Sequence, residues 1–237
     1  MSEEIIIKPI AHIECDFPEK FGVPRQSGLI DSLAAKIVFE PEYRDPNAFK
    51  GIEEYSHLWL IWQFSLSESG KAWSPTVRPP RLGGNKRMGV FATRSPFRPN
   101  PLGLSSVKLL SLENDAALGP VLMVSGADLV NGTPIYDIKP YLSFTDSHPE
   151  AVCGFADSTK EYSIEVSVSD KLLERVAPEK RDALIEILKS DPRPAYQNDS
   201  ERIYGFTFSE YEIKFSVADD ILRVTDIIIS KKIDRQF

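Results

Sequence analysis

The sequence predicts a mainly β protein, with an N-terminal antiparallel β-barrel over residues 1–150 and a smaller C-terminal α+β domain over residues 151–237. Two observations lead to this fold class. Short apolar, β-branched or aromatic runs, separated by Pro, Gly, Asn and Asp clusters, make up the first region. Clear helical spacing comes only late, over residues 178–189, where Leu184, Ile185 and Leu188 form one apolar stripe.

The strands of the first region are predicted from runs of strand length and composition. Pro9 interrupts the first run, which favours a strand at a sheet edge. A short helix is expected over residues 46–52, and Asn131-Gly132 between apolar runs predicts a hairpin turn. The predicted strands cover residues 4–14, 35–40, 58–64, 88–93, 105–112 and 121–129.

The second region mixes helix and strand. Pro178 suits the first turn of the helix over residues 178–189, and Asp191-Pro192 ends it. Residues 170–177 show the same spacing, and Asp219-Asp220 suits a turn between the last two strands. The predicted strands cover residues 162–168, 202–208, 211–217 and 222–229.

Composition narrows the class of protein. The chain has 237 residues, of which 42% are hydrophobic and 27% charged, as in ordinary globular proteins. No apolar stretch has the length of a membrane span, and the first residues lack a basic leader. We therefore expect a cytoplasmic protein that has no membrane partner.

Metal chemistry and disulfides are not expected. The two cysteines, Cys15 and Cys153, are far apart, and the three histidines are scattered without the spacing of metal ligands. The sequence also lacks a nucleophile triad, a phosphate-binding loop and a dinucleotide-binding glycine pattern.

Charge is distributed unevenly along the chain. The net charge of −7 argues against a polyanionic partner. Residues 69–112, however, contain eight Lys and Arg residues and no Asp or Glu. This segment, which we call the basic segment, predicts a local surface that attracts anions. Within it, the Pro and Gly residues of 76–106 predict a structured loop, in which the backbone N–H groups at Gly83-Gly84 beside the arginines could bind an anion or a carboxylate. The alternative is a proline-stiffened surface loop whose arginines are solvated.

Five motifs stand out along the chain. They are KFGVPRQSGL (20–29), GIEEYSHLWLIWQF (51–64), TVRPPRLGGNKRMGVFATRSPFRPNPLGLS (76–105), DLVNGTPIYDIKPYL (128–142) and DPRPAY (191–196). Together they resemble one family, the TrmO (YaeB or TsaA-like) tRNA methyltransferases. The first four span the N-terminal region, and the last extends the likeness into the C-terminal region.

The resemblance implies a homodimeric β-barrel enzyme that uses S-adenosylmethionine. It implies methylation of the exocyclic N6 of threonylcarbamoyladenosine at position 37, beside the anticodon of threonine tRNA, with tRNA and not DNA as the partner. The cofactor-binding positions that it implies are Pro24, Arg25, Gln26, Ser65, Leu66, Arg94, Leu104, Asp128, Leu129, Val130 and Asn131.

Two sites depart from the family pattern. Ser65-Leu66 stands where close relatives often have His-Gln, and Asn131 stands where many have Asp. If the contacts there are made mainly by backbone groups, the substitutions are tolerable, because any residue supplies N–H and C=O. Otherwise the affinity for the cofactor differs.

Methyl transfer from this cofactor needs no nucleophilic side chain, since the cofactor carries the reactive methyl group. The protein mainly has to align the acceptor amine with that methyl group. Asp137 and His57 are the candidate proton acceptors. Exposure or pairing with Lys139 is the alternative for Asp137, and a buried structural role is the alternative for His57. Trp73, Phe97 and Tyr196 could stack on an unpaired base, and burial in the core is the alternative for Trp73 and Phe97. The expected phosphate and tRNA contacts are Arg78, Arg81, Lys86, Arg87, Arg98, Arg193 and Tyr196.

Two rival functions use the same basic segment. A non-catalytic RNA-binding barrel would bind RNA without turnover. A hydrolase of a phosphorylated small molecule would use the arginines for phosphate, but it lacks an evident nucleophile or metal site.

Overall fold

The computed structural model describes residues 5–66, 73–79, 86–159, 162–193 and 199–230. The protein is mainly β, as predicted. Its strands are β1 (Ala11–Glu14), β2 (Ala34–Phe39), β3 (His57–Gln63), β4 (Thr76–Val77), β5 (Met88–Gly89), β6 (Leu102–Asp115), β7 (Gly119–Ser125), β8 (Pro134–Pro140), β9 (Glu165–Ser167), β10 (Tyr204–Phe208), β11 (Tyr211–Ala218) and β12 (Ile221–Ile229). Its α-helices are α1 (Ser143–Asp146), α2 (Asp170–Leu173) and α3 (Pro178–Lys189).

Six strands of the first region form one antiparallel sheet in the order β1-β2-β7-β6-β3-β8. Because β8 also pairs with β1, the sheet closes on itself. Side chains along β3 alternate between the two faces of the sheet, and Leu58, Leu60 and Trp62 point into the core. His57, Trp59 and Ile61 therefore lie on the outer face, between β6 and β8.

The second sheet has the order β10-β11-β12-β9, with β9 parallel to β12. Helix α3 begins at Pro178, and Leu184, Ile187 and Leu188 pack into the core of this sheet, whereas Ile185 of the predicted stripe is only half-buried. Asp219 and Asp220 both have positive φ, 52° and 57°, in the tight turn between β11 and β12. The predicted helix and hairpin turn are confirmed here.

The chain between β1 and β2 packs against the second sheet. Phe17, Ile30 and Leu33 belong to the core that contains α3, and Lys180 pairs with Asp16 at 2.6 Å. The strands of the six-stranded sheet therefore all precede residue 150, and those of the second sheet all follow it. The hydrophobic core of the second sheet nevertheless includes side chains from the N-terminal region.

Several local predictions are wrong. Strands β7 and β8 flank the Asn131-Gly132 turn but are not neighbours in the sheet, so the turn is not a hairpin. The first strand begins only at Ala11, and the strand predicted over residues 88–93 is limited to Met88-Gly89, followed by a 3-10 turn. Residues 46–49, within the predicted short helix, also form a 3-10 turn. None of the helices in the described ranges is long and apolar enough to span a membrane.

Candidate cofactor and nucleoside site

A groove runs along the outer face of β3. It consists of two adjoining cavities of about 460 and 380 Å³ that share Trp59, Leu104 and Asp146. His57, Lys108 and Tyr141 lie at one end, and Ile61 lines the other cavity. We call this feature the β3 groove.

Trp59 forms the centre of the β3 groove. Its indole Nε1 donates a hydrogen bond to Oδ2 of Asp146 in α1 at 2.8 Å, and its ring lies 5.4 Å from that of Tyr141. The main-chain N–H of Leu142 and the indole N–H both lower the pKa of Asp146. The carboxylate therefore stays ionised at neutral pH and fixes the orientation of the ring.

Arg94 connects two of the predicted cofactor segments. It lines the β3 groove with Ser27 and Leu104, and its guanidinium donates a hydrogen bond to Oε1 of Gln26. Arg94 is exposed, and the outward-facing Leu104 is 57% exposed. A cation, an amide and an apolar side chain therefore meet at one edge of the groove.

Asp128 lies behind this edge in a buried polar network. The hydroxyl of Ser105 donates to its Oδ1 at 2.5 Å, and the indole of Trp62 donates to that hydroxyl at 2.9 Å. Burial raises the pKa of Asp128, although the hydrogen bond from Ser105 and the charge of Arg94 oppose the change. Ser105 and Trp62, which are far apart in the sequence, thus hold the Asp128 carboxylate near Arg94.

The turn that follows Asp128 is fixed by main-chain contacts. Leu129 is 1% exposed in the core, so only its backbone can reach a ligand. Asn131 is exposed, and its Oδ1 accepts a hydrogen bond from the N–H of Cys15 at 2.9 Å. A carboxylate could accept that bond equally well, which explains why Asn can replace Asp here. Val130 is half-buried, and its carbonyl accepts from Thr133.

Ser65 and Leu66 are exposed just beyond the end of β3, and the Lys20 ammonium contacts the carbonyl of Leu66. Neither residue lines the β3 groove. The structure therefore brings Gln26, Arg94, Leu104 and Asp128 together, but it leaves Ser65 and Leu66 at a separate edge.

Arg25 faces the C-terminal region. Its guanidinium donates to the main-chain carbonyl oxygens of Asp191 at 2.7 Å and Arg193 at 3.0 Å. Its own carbonyl accepts from Gln26, and Pro24 beside it is buried. These contacts give Arg25 a structural role, and the resemblance alone had not indicated that role.

Asp191 and Arg193 form a buried ion pair. They are 6% and 9% exposed, and Nε and Nη2 of Arg193 donate to the two carboxylate oxygens at 2.8 and 2.9 Å. The hydroxyl of Tyr162 donates to the same carboxylate at 2.9 Å. A direct phosphate contact by Arg193 would require this pair to open. We call the contacts of Arg25, Asp191 and Arg193 the C-terminal clamp.

The two candidate proton acceptors lie far apart. His57 is half-buried in the β3 groove, hydrogen-bonded to the hydroxyl of Ser56 at 2.9 Å and outside the core. Asp137 pairs with Lys139 at 2.7 Å and lies opposite Ile61, four positions further along β3. At roughly 3.3 Å per residue the two are about 13 Å apart, so they cannot act on one proton together.

The predicted tRNA-binding residues fall into three groups. Arg78, Lys86 and Arg87 are exposed, and Arg87 contacts the hydroxyl of Thr76 at 3.2 Å. Arg98 instead donates to the carbonyls of Thr93 and Ser95 within its own loop. Arg81 and Tyr196 lie outside the described residues, as do Gly83 and Gly84 of the expected anion site.

The sequence prediction missed Trp59, Tyr141 and Asp146. The available signal was the alternation in β3, which places Trp59 on the face opposite Leu58 and Leu60. A half-buried indole N–H needs an acceptor, but sequence alone did not show that Asp146 supplies it.

Comparison with known proteins decides the family. The family model described as the tRNA-methyltransferase O N-terminal domain matches residues 12–147, and the TrmO C-terminal domain model matches residues 161–230. The chain belongs to the TrmO family. The resemblance inferred from the motifs is confirmed.

Relatives cover nearly the whole chain. The tRNA (adenine(37)-N6)-methyltransferase of Escherichia coli (strain K12) is 40% identical over 220 residues, which are 89% of this chain and 92% of that protein. A crystal structure of TrmO from P. aeruginosa superposes with a TM-score of 0.79 at 29% identity, over 97% of this chain and 99% of that one. A probable S-adenosyl-L-methionine-binding protein of Methanothermobacter thermautotrophicus is 37% identical over 144 residues, 61% of this chain and 95% of that protein.

Among the described residues, no group of three or more His, Cys, Asp and Glu side chains is placed to hold a metal ion.

Proposed function

We propose that this protein is an S-adenosylmethionine-dependent tRNA (adenine(37)-N6)-methyltransferase, and that its substrate is threonylcarbamoyladenosine in threonine tRNA. The single observation that carries the proposal is that Arg94 and Leu104 line one edge of the β3 groove, with Gln26 bonded to Arg94 and the Asp128 carboxylate buried behind this edge. These residues come from separate segments, and the family resemblance implies all of them as cofactor contacts. The names of the relatives supply the reaction.

The residues present fit the chemistry of the cofactor. Its amino-acid end carries a carboxylate and an ammonium group, for which the exposed Arg94 and the carboxylate of Asp128 are complementary partners. The amide of Gln26 can bond to hydroxyl or amino groups, and Leu104 offers an apolar contact for a base. When bound, S-adenosylmethionine supplies an electrophilic methyl group on a positively charged sulfur.

The protein's own residues have to align the acceptor amine, exclude water and receive a proton. His57 lines the β3 groove, so it is the side chain best placed to receive the proton that the amine loses. Asp137 is less suitable because its carboxylate is paired with Lys139. We therefore retain His57 as the proposed proton acceptor and place Asp137 second.

The tRNA backbone is proposed to bind the exposed part of the basic segment, formed by Arg78, Lys86 and Arg87. Arg98 holds the loop after Thr93 and acts by positioning it. The homodimer that the resemblance implies is kept as a proposal, and sedimentation equilibrium of the purified protein tests it.

The deciding experiment offers the purified protein S-adenosylmethionine with a deuterated methyl group. The tRNAs are threonine tRNA that carries threonylcarbamoyladenosine and the same tRNA without that modification. We expect mass spectrometry of the digested nucleosides to show one labelled methyl on the modified adenosine only. Methylation of both tRNAs would reject the modified substrate. RNA binding without methylation of either would favour the non-catalytic RNA-binding protein.

A further inference from the structure

The β3 groove has a floor of ordered aromatic and apolar side chains. The ring centroids of Trp59 and Tyr141 lie 5.4 Å apart with their planes inclined by 49°, and Ile61 and Leu104 extend the surface beside Trp59. Half-buried aromatic rings on the outer face of a sheet are the usual platform for stacking an unpaired base. Because Asp146 holds the indole N–H, the ring of Trp59 is oriented before any ligand arrives.

The charge around this floor suits a nucleotide. Lys108 lies opposite His57, Lys139 lies opposite Trp59, and Arg94 borders the groove. Three basic side chains thus border the apolar floor, and the acidic side chains that also line the groove are Asp31 and Asp146, of which Asp146 is bonded to the indole of Trp59. This combination fits a neutral base with anionic groups attached to it, and it fits an uncharged peptide poorly.

The β3 groove lies next to the proposed cofactor site. Leu104 and Arg94 belong to both the groove and the proposed cofactor site. The acceptor nitrogen must approach to about 3–3.5 Å from the methyl carbon. A base that lies on Trp59 is therefore next to the place where the methyl group has to be delivered.

We propose that the β3 groove is the binding site of the target nucleoside, with its base stacked on Trp59 and its edge against Tyr141. This inference rests on the proposed function, because it places the substrate of that same reaction. It assigns Trp59 to substrate contact and makes Asp146 a positioning residue that fixes the indole ring.

Photo-crosslinking tests the site directly. The probe is an anticodon stem-loop RNA with 8-azidoadenosine at position 37, irradiated with the full-length protein and mapped by peptide mass spectrometry. We expect adducts on residues 57–63 or 139–148. Adducts only elsewhere, for example around Trp73 or Phe97 of the basic segment, would overturn the site, and so would the absence of any adduct.

Crosslinking requires binding but not turnover, which separates this proposal from the function on which it rests. Adducts in the groove without methylation would keep the site and reject the reaction. Methylation with adducts only outside the groove would keep the reaction and reject the site.

Substitutions give a quantitative test. Trp59→Leu removes the stacking surface and is expected to raise the KM for tRNA about tenfold, since stacking on an aromatic ring contributes about 1–3 kcal/mol per base. Trp59→Phe keeps a ring and should recover most of the loss. The Kd for S-adenosylmethionine should change by less than about twofold in both variants, because Trp59 is not among the proposed cofactor contacts.

Phe144→Ala is the matched control. Phe144 is an exposed aromatic residue on the same short helix as Asp146, but it does not line the groove. We expect this variant to keep the KM of the parent protein. An unchanged KM in Trp59→Leu, or a rise in Trp73→Leu with none in Trp59→Leu, would contradict the proposal.

Discussion

The guanidinium of Arg25 donates a hydrogen bond to the main-chain carbonyl oxygen of Asp191 at 2.7 Å, across 166 positions of sequence. Gln26, the next residue, accepts a hydrogen bond from Arg94 at the edge of the β3 groove. The buried pair of Asp191 and Arg193 therefore lies only a few contacts from the proposed cofactor. Through this clamp the C-terminal region contacts the proposed site, whose other residues come from the N-terminal region.

The clamp predicts a linked loss of stability and cofactor affinity. Arg193→Leu leaves the buried carboxylate of Asp191 unpaired and is expected to cost about 3–5 kcal/mol of unfolding free energy. Because Arg25 bonds to the carbonyls of this segment, the variant should also bind S-adenosylmethionine more weakly at a temperature where it is fully folded. Denaturant unfolding and calorimetric titration measure the two effects.

The double variant Asp191→Asn with Arg193→Leu serves as control. It removes both charges while Asn tolerates the left-handed backbone at φ 51°, so it should recover part of the lost stability. If Arg193→Leu alone kept the stability and the S-adenosylmethionine affinity of the parent protein, the C-terminal clamp would have no such function.

The carboxylate of Asp191 should also make the stability of the fold depend on pH. Burial alone would raise the pKa of Asp191, but the hydrogen bonds from Arg193 and Tyr162 outweigh it and hold the pKa below the ordinary value of 3.8. Because the pKa is lower in the folded state, its stabilising contribution is present above 3.8 and is lost as the pH falls through the folded value.

Asp191→Asn should therefore be less stable than the parent protein at pH 7, and the difference should shrink below about pH 4. Unfolding free energies measured from pH 2 to pH 7 check this convergence. A difference that stays constant over the whole range would mean that the ionised carboxylate does not stabilise the fold.

Sequence reasoning succeeded where the pattern is local. The alternation in β3 and β11 and the apolar stripe of α3 follow directly from which faces are buried. The Asn131-Gly132 turn exists, but the hairpin does not, because strand partners are set by closure of the sheet and not by turn chemistry. The contacts of Arg25 with Asp191 and of Trp59 with Asp146 join distant positions and leave no periodic trace in the sequence.

Asn131 provides a test of the departure from the family pattern. Asn131→Asp keeps an oxygen that accepts the N–H of Cys15, so stability and cofactor affinity should stay close to those of the parent protein. Asn131→Ala loses the acceptor and should cost about 1 kcal/mol. Thermal unfolding and calorimetry distinguish these outcomes. A large gain in cofactor affinity in Asn131→Asp would show that the side chain contacts the ligand.

A division of labour between arginines is also testable. Arg94→Ala should weaken binding of S-adenosylmethionine, because Arg94 borders the groove and bonds to Gln26. Arg87→Ala should instead weaken tRNA binding and reduce the slope of log affinity against log salt by about 1. Titrations of each variant with both ligands measure this division. Equal effects of both substitutions on both ligands would reject it.

We propose that Gln26, Arg94, Leu104 and Asp128 bind the methyl donor at the edge of the β3 groove. The decisive measurement is calorimetric titration of the purified protein with S-adenosylmethionine, followed on the same sample by mass spectrometry of modified threonine tRNA. We expect saturable binding that Arg94→Ala weakens, together with a gain of one methyl group by the tRNA. Absence of cofactor binding, with the affinity for tRNA intact, would contradict it.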